Sequence, residues 1–262
     1  MADFIFSLSL LQMTIVILGI AMAVGLGLSV GIRLLFRLNP TDQEADLAID
    51  LMQIASTYIG ILLAFAGVLA WQDYKDAQNA IQQEASTASG VYRDLAIYGP
   101  EMAEPRKDLR AYITSIVTDE WPLLREGKRS SVTEVKLLKL FEDIGATSPT
   151  NDRQTVIYRE IFSRLNDLVT LRRQRISASR AEIPDVLWIV ALAGSILTVA
   201  YASAFASSRY SSLMITGVSL TIGLLFLFLL SVDNPFRGRG ELSNLELTEL
   251  SAIFDNIDRY HH

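Results

Sequence analysis

Four apolar runs without Asp, Glu, Lys, Arg or His constrain this chain most: Phe4 to Ile32, Leu51 to Gln72, Val186 to Ser208 and Tyr210 to Val232. A helix rises about 1.5 Å per residue, so about 20 residues cross a hydrocarbon core about 30 Å thick, and each run is long enough. A soluble fold can hide one such helix in its core. Four in 262 residues leave too little polar chain to wrap them. In lipid every backbone N–H and C=O must be paired internally, which leaves helices or closed barrels, and the runs do not alternate as barrel strands do. The reading is an all-α membrane protein with transmembrane helices over 4–37, 51–72, 185–208 and 210–232, and the lipid bilayer as its first partner. A cleaved signal peptide is not expected, because Met1-Ala2-Asp3 has no base and the first run is too long.

The connections are unequal. About 18 residues join the first two spans, Arg209 alone separates the last two, and residues 73–184 form a long insert between the pairs. The insert holds 17 Lys or Arg and 17 Asp or Glu, well mixed, as a solvated folded domain should be. A nucleic-acid partner is not expected, since no one-signed basic stripe occurs. Four spans put the insert and both termini, including the tail 233–262, on one side. That side has Lys75, Arg172, Arg173, Arg175, Arg180, Arg237 and Arg239 near span ends, against Arg33, Arg37 and Arg209 on the other. The positive-inside rule makes the insert and termini cytoplasmic.

Helical signals run through the insert. Asp73 to Tyr98 can continue the second span until Gly99-Pro100 stops it. Arg106 to Trp121 reads as a helix ended near Pro122, and Ser131-Val132-Thr133-Glu134 as a capping box opening a helix that Gly145 closes. A long helix starts near Asn151 with a stripe of Ile157, Ile161, Leu165, Leu168 and Ile176.

Chemistry is sparse. There is no cysteine, and the two histidines are His261 and His262, where a disordered end or a trimmed purification tag is expected. No metal, cofactor or catalytic residue is expected, and the protein is not read as an enzyme. The pairs Asp119-Glu120 and Glu142-Asp143 read as solvated helix surface. The spans hold no ionisable side chain apart from Tyr, which argues against an ion-coupled pump. Their hydroxyls, at Ser56, Thr57, Ser195, Thr198, Thr216, Ser219 and Thr221, are expected to bond back to carbonyls one turn earlier or to neighbouring helices. Gly19, Ala23, Gly27 and Gly31 fall four apart on one face of the first span and suit close helix packing. Asp42, Glu44, Asp46 and Asp50 lie in an acidic loop that can focus cations at the outer mouth of a pore or keep a short loop soluble.

Two segments resemble the bestrophin ion-channel family. Asp233-Asn234-Pro235-Phe236-Arg237-Gly238, with Leu242, Asn244 and Leu245 after it, is similar to that family's acidic Asn-Pro-Phe-Gly turn, although Arg237 stands between Phe and Gly. Gly60-Ile61-Leu62-Leu63-Ala64-Phe65-Ala66-Gly67 is similar to the Gly-x-x-Leu-Ala stretch of bacterial members' second span. The chain departs from the family beyond that span, where it reads Asp73-Tyr74-Lys75-Asp76-Ala77-Gln78, and it lacks the acidic cluster that forms a calcium clasp in animal members. The resemblance implies a homo-oligomeric, pentameric ion channel of the bacterial inner membrane, passing inorganic ions, with anions favoured. Its axial neck would be formed by Ile61, Phe65 and Leu69, with Gly60, Ala64 and Gly67 packing against adjoining helices. The turn Asp233, Asn234, Pro235, Phe236 and Gly238 would be structural, with Asp233 capping N–H groups or pairing with Arg172 or Arg180. The alternative is a non-conducting membrane scaffold or sensor that recruits a partner through its cytoplasmic helices.

Overall fold

The computed structural model describes residues 9–36, 41–202, 209–237 and 241–260, and the regular elements among them are all helical. They are α1 (Leu10–Phe36), α2 (Asp42–Tyr98), α3 (Ala103–Ser115), α4 (Ser131–Gly145), α5 (Asp152–Ala178), α6 (Asp185–Ala202), α7 (Arg209–Val232) and α8 (Leu245–Tyr260). The start of the first run, the end of the third, Arg37, Gly238, Arg239, His261 and His262 lie outside the described residues. Among the described residues four helices are long and apolar enough to cross a membrane, over Leu11–Leu35, Gln43–Tyr98, Asp185–Ala202 and Ser211–Val232. The chain divides into two compact units, residues 1–72 with 182–240, and residues 73–181 with 241–262.

In the first unit, α1 and α6 pack with α7 through small residues. A Cβ at Gly223 would stand 2.8 Å from that of Ala21, and one at Gly25 would meet the Ser219 side chain. The buried face of α1 is Met13, Ile17, Gly25 and Ser29, spaced in multiples of four. This corrects the sequence expectation within the subunit: Ala23, Gly27 and Gly31 are exposed, and a Cβ at Gly19, Gly27 or Gly31 would touch nothing within 4 Å. A period of four identifies a face but not which of two faces is covered. Six of the seven span hydroxyls bond as expected, for example Thr57 to the Gln53 carbonyl at 2.7 Å and Thr198 to that of Gly194 at 2.9 Å. Ser219 is the exception, buried with no hydrogen-bond partner among the described residues.

The acidic segment expected in a loop is instead the start of α2. The Thr41 N–H donates to Glu44 Oε2 at 2.8 Å and the Glu44 N–H to Thr41 Oγ1 at 3.4 Å, a capping box that opens the helix here. Acids in a first turn also complement the helix dipole. Glu44, Asp46 and Asp50 are exposed.

The second unit is a helical cluster. α2 contributes Ala77, Ala88, Val91 and Leu95 to its core, α3 Leu109 and Tyr112, α4 Leu140 and Ile144, and α5 Ile161, Leu165 and Leu168. α2 stops at Tyr98, as the sequence indicates, because Gly99 takes φ 140° and Pro100 follows. The next helix differs from its expected bounds. It begins at Ala103, since Pro105 is tolerated in a first turn, and it passes through a π turn (Ile116–Glu120) into Trp121–Leu124. Pro122 again occupies a first turn, where no N–H partner is lost.

The α4 cap lies one residue earlier than expected. Ser130 Oγ accepts the Thr133 N–H at 3.3 Å, and Glu134 is therefore not in a capping box. Ser130 is held there because its own N–H donates to Glu120. α5 starts beside Asn151 as expected, and Asn151 is its cap, accepting from the Gln154 N–H at 2.9 Å.

The segment read as a tail contains α8. Leu247, Leu250 and Phe254 are buried, the Phe254 ring stacks on Tyr92 at 4.0 Å, and Asp258 accepts from Tyr92, Arg106 and Arg110. A 16-residue amphipathic helix with acids along its polar face was hidden because its apolar positions are few.

Candidate functional site

The second span segment of α2 has two unlike faces. Leu63, Ala66, Gly67 and Ala70 are buried, and Leu63 and Ala66 cluster with Ala191 and Leu229 against Leu187, Trp188 and Phe226. A Cβ at Gly67 would fall 2.7 Å from the Phe228 ring, so this glycine is required by close approach. The other face is apolar yet uncovered by the described residues: Ile61 is 51% exposed, Phe65 67% and Leu69 54%. These residues share a helix face because they are four apart. Of the expected packing glycines, Gly67 alone is in contact. Ala64 is exposed, and a Cβ at Gly60 would meet nothing within 4 Å. Gly60 instead borders an open cavity that it shares with Thr198 of α6 and with Leu213, Gly217 and Leu225 of α7, whereas Ala64, one turn on, lies on the exposed side.

The turn after α7 is a compact hydrogen-bonded device. Asp233 Oδ1 accepts the Ile183 N–H at 2.8 Å, and Asn234 Oδ1 accepts the Phe236 N–H at 2.9 Å. Phe236 is buried, and the Arg237 N–H donates to the Asn234 carbonyl. Of the alternatives for Asp233, N–H capping is the one observed. Arg172 and Arg180 are engaged elsewhere, with Glu120 and with the Gly127 carbonyl. Burial pushes the Asp233 carboxyl up from its ordinary range, against the pull of the Ile183 N–H. The inserted Arg237 lies 3.6 Å from Glu182.

Within the second unit the structure assembles a buried ionic centre that sequence reading missed. Arg175 Nε donates to Glu84 at 2.6 Å and its Nη2 to Glu120 at 2.9 Å, while Arg172 Nη2 donates to Glu120 at 2.6 Å. Tyr112 Oη donates to Glu84 at 3.2 Å. Glu84, Glu120 and Arg175 have no exposed surface, so Glu120 is not the solvated acid expected of the Asp119-Glu120 pair. Burial would raise the Glu120 carboxyl, but Arg172 and Arg175 hold it below its ordinary range. The signal was present in the periodicity. Glu84 continues the buried stripe of Ala77, Ala80 and Ile81 into Ala88, and Arg172 and Arg175 continue that of Ile161, Leu165 and Leu168. Charges standing where an apolar stripe should continue mark buried pairs.

No curated protein matches the chain by sequence. Residues 19–244 match the profile of the Bestrophin-like domain. The chain belongs to the bestrophin-like family. A crystal structure of a bacterial bestrophin homologue from Klebsiella pneumoniae, carrying a mutation, superposes with TM-score 0.65 at 14% identity, covering 93% of this chain and 97% of that one. Another variant of that homologue gives 0.62 at 15% identity with 97% of both chains covered, and a crystal structure described only as a membrane protein gives 0.63 at 15%, covering 95% and 97%. At this identity the likeness establishes the helical fold. With the apolar helices, family membership makes the chain a membrane protein. The matched region takes in the second-span stretch from Gly60 and the whole turn Asp233 to Gly238 singled out in the sequence.

Proposed function

We propose that this bestrophin-like protein is a homo-oligomeric ion channel of the bacterial inner membrane, pentameric, whose axial pore is lined by the second span. The observation that carries the reading is the face of Ile61, Phe65 and Leu69, apolar and uncovered while the opposite face of the same helix is sealed by α6 and α7. Repeated around an axis, these side chains form an apolar neck that gates by excluding water, since a short apolar tube cannot replace the hydrogen bonds a hydrated ion loses. One subunit offers no polar passage through its own spans, so the pore requires several copies. All four spans cross the bilayer, with the insert and both termini cytoplasmic. That places the acids Asp42, Glu44, Asp46 and Asp50 at the outer mouth, where they favour cations, whereas the family resemblance favours anions.

The test uses the purified protein in planar bilayers. The variant with Ile61, Phe65 and Leu69 all changed to Ala is expected to pass larger, less gated currents than the parent, and reversal potentials in a salt gradient assign the ion sign. A particle that is monomeric or dimeric, with both proteins silent, replaces the channel by a non-conducting scaffold. The uncovered Gly19, Ala23, Gly27 and Gly31 face of α1, with Gly60 and Ala64 of α2, is assigned on this reading to contacts between subunits.

A further inference from the structure

We propose that the trough between α4 and α5 binds a small amphiphilic anion, a phosphate or carboxylate head carried on an apolar body. The two helices meet at one end, where the Phe141 and Phe162 rings contact edge-on at 6.3 Å and the Tyr158 hydroxyl donates to the Ile144 carbonyl. Elsewhere they leave between them a cavity of about 540 Å³, within the usual range of small-ligand sites at about 300–1,000 Å³. Four guanidiniums line it, those of Arg129, Arg172, Arg173 and Arg180, against a single acid, Glu134. Its remaining wall is apolar and includes Leu137, Phe141 and Ile176.

That charge balance stands out in this molecule. The chain as a whole is acidic, with a net charge of −6, and the insert is neutral. Arg172 is offset by Glu120 and Arg129 in part by Glu134, and the excess charge of Arg173 and Arg180 beside them costs Coulombic energy that a bound anion returns. The guanidiniums are also only partly engaged. Arg180 uses its Nε on the Gly127 carbonyl, which leaves its terminal nitrogens to turn toward a ligand. Arg129 is 3.7 Å from Glu134, a loose pair. Arg173 has no ion pair among the described residues. Arg172 is fixed by Glu120 at 2.6 Å, so one donor of the cavity is pre-oriented by the buried ionic centre. A planar guanidinium matches phosphate or carboxylate oxygens two at a time, and the apolar wall supplies the surface on which a hydrocarbon or ring can be buried. Such a head arises either on a soluble organic anion or on a lipid.

Titration calorimetry on the full chain in neutral detergent, with hexyl phosphate as the probe, tests the site. Saturable binding is expected, weakened by added salt and tighter than for inorganic phosphate, which has no apolar body. Arg173→Gln and Arg129→Gln are each expected to weaken it about tenfold or more, the effect of losing a charged hydrogen bond. Glu134→Gln is expected to tighten it by removing the one competing carboxylate, a gain that a damaged fold would not produce. Dioctanoyl phosphatidic acid that displaces hexyl phosphate assigns the site to a lipid headgroup, and failure to displace it assigns the site to a soluble anion; both support an amphiphilic-anion site. Binding that does not saturate, or that all three variants leave unchanged, overturns the proposal. Conduction is not part of the readout, so the outcome is independent of the channel reading.

Discussion

Arg175 donates to Glu84 and Glu120 from a position with no exposed surface, so removing it strands the Glu84 carboxylate in the core of the second unit and leaves Glu120 to Arg172 alone. Arg175→Met is expected to cost about 3–5 kcal/mol, read as a lowered unfolding midpoint, because the uncompensated charge loses more than the methionine packing returns. Arg173→Met, on the exposed side of the same helix, is expected to change stability by less than about 0.5 kcal/mol. The same centre sets a pH dependence. The Glu120 carboxyl is held below its ordinary 4.5, so it binds fewer protons folded than unfolded near that pH. Its contribution is complete above about pH 4.5 and is lost as pH falls through the lowered folded value. Asp258 is lowered from 3.8 in the same sense, where burial is outweighed by Tyr92 and Arg110, but it is more exposed and its share is smaller. Thermal unfolding followed from pH 7 to pH 3 should therefore be flat at first and then decline below about 4.5; stability that rises on acidification would contradict the assignment.

Among the elements, α1 shows how far periodicity reaches. Its small residues come in two sets four apart, and the set that packs within the subunit includes Gly25 rather than Gly27. Gly223→Leu drives a side chain into Ala21 and Leu18 and is expected to cost about 1–3 kcal/mol in the first unit. A Cβ at Gly27 would meet nothing within 4 Å among the described residues, so Gly27→Leu is expected to leave monomer stability intact and to lower only the oligomer fraction on size-exclusion chromatography. α8 was the element least legible in sequence. Its three buried side chains, Leu247, Leu250 and Phe254, make a short stripe that gains meaning once Tyr92 of α2 is placed beneath Phe254. Ser130 is a similar case, since its selection over Ser131 as cap depends on Glu120, ten residues earlier.

For the whole molecule, topology is the first property to test. A chain without cysteine accepts single reporters at Gln43 and Ser131, both exposed. On intact cells an impermeant thiol reagent is expected to label Gln43→Cys and spare Ser131→Cys. The reverse pattern inverts the orientation. The basic residues behind that expectation are fewer than the sequence suggests, because Arg172 and Arg175 are consumed by the buried ionic centre.

What the sequence determined by itself was the helical class, the long apolar helices and the family, because a bilayer demands about 20 apolar residues per crossing and that demand is written locally along the chain. The helix stop at Gly99 and the helix start near Asn151 were readable for the same reason: each depends on residues within one turn. Only the tertiary structure decided which face of α1 packs, that α8 joins the second unit, and that Glu84, Glu120, Arg172 and Arg175 meet. Those outcomes depend on partners far apart in the chain, 91 residues for Glu84 and Arg175 and 166 for Tyr92 and Asp258, and a helical period repeats the same way whether its face meets a helix, a charge or nothing at all.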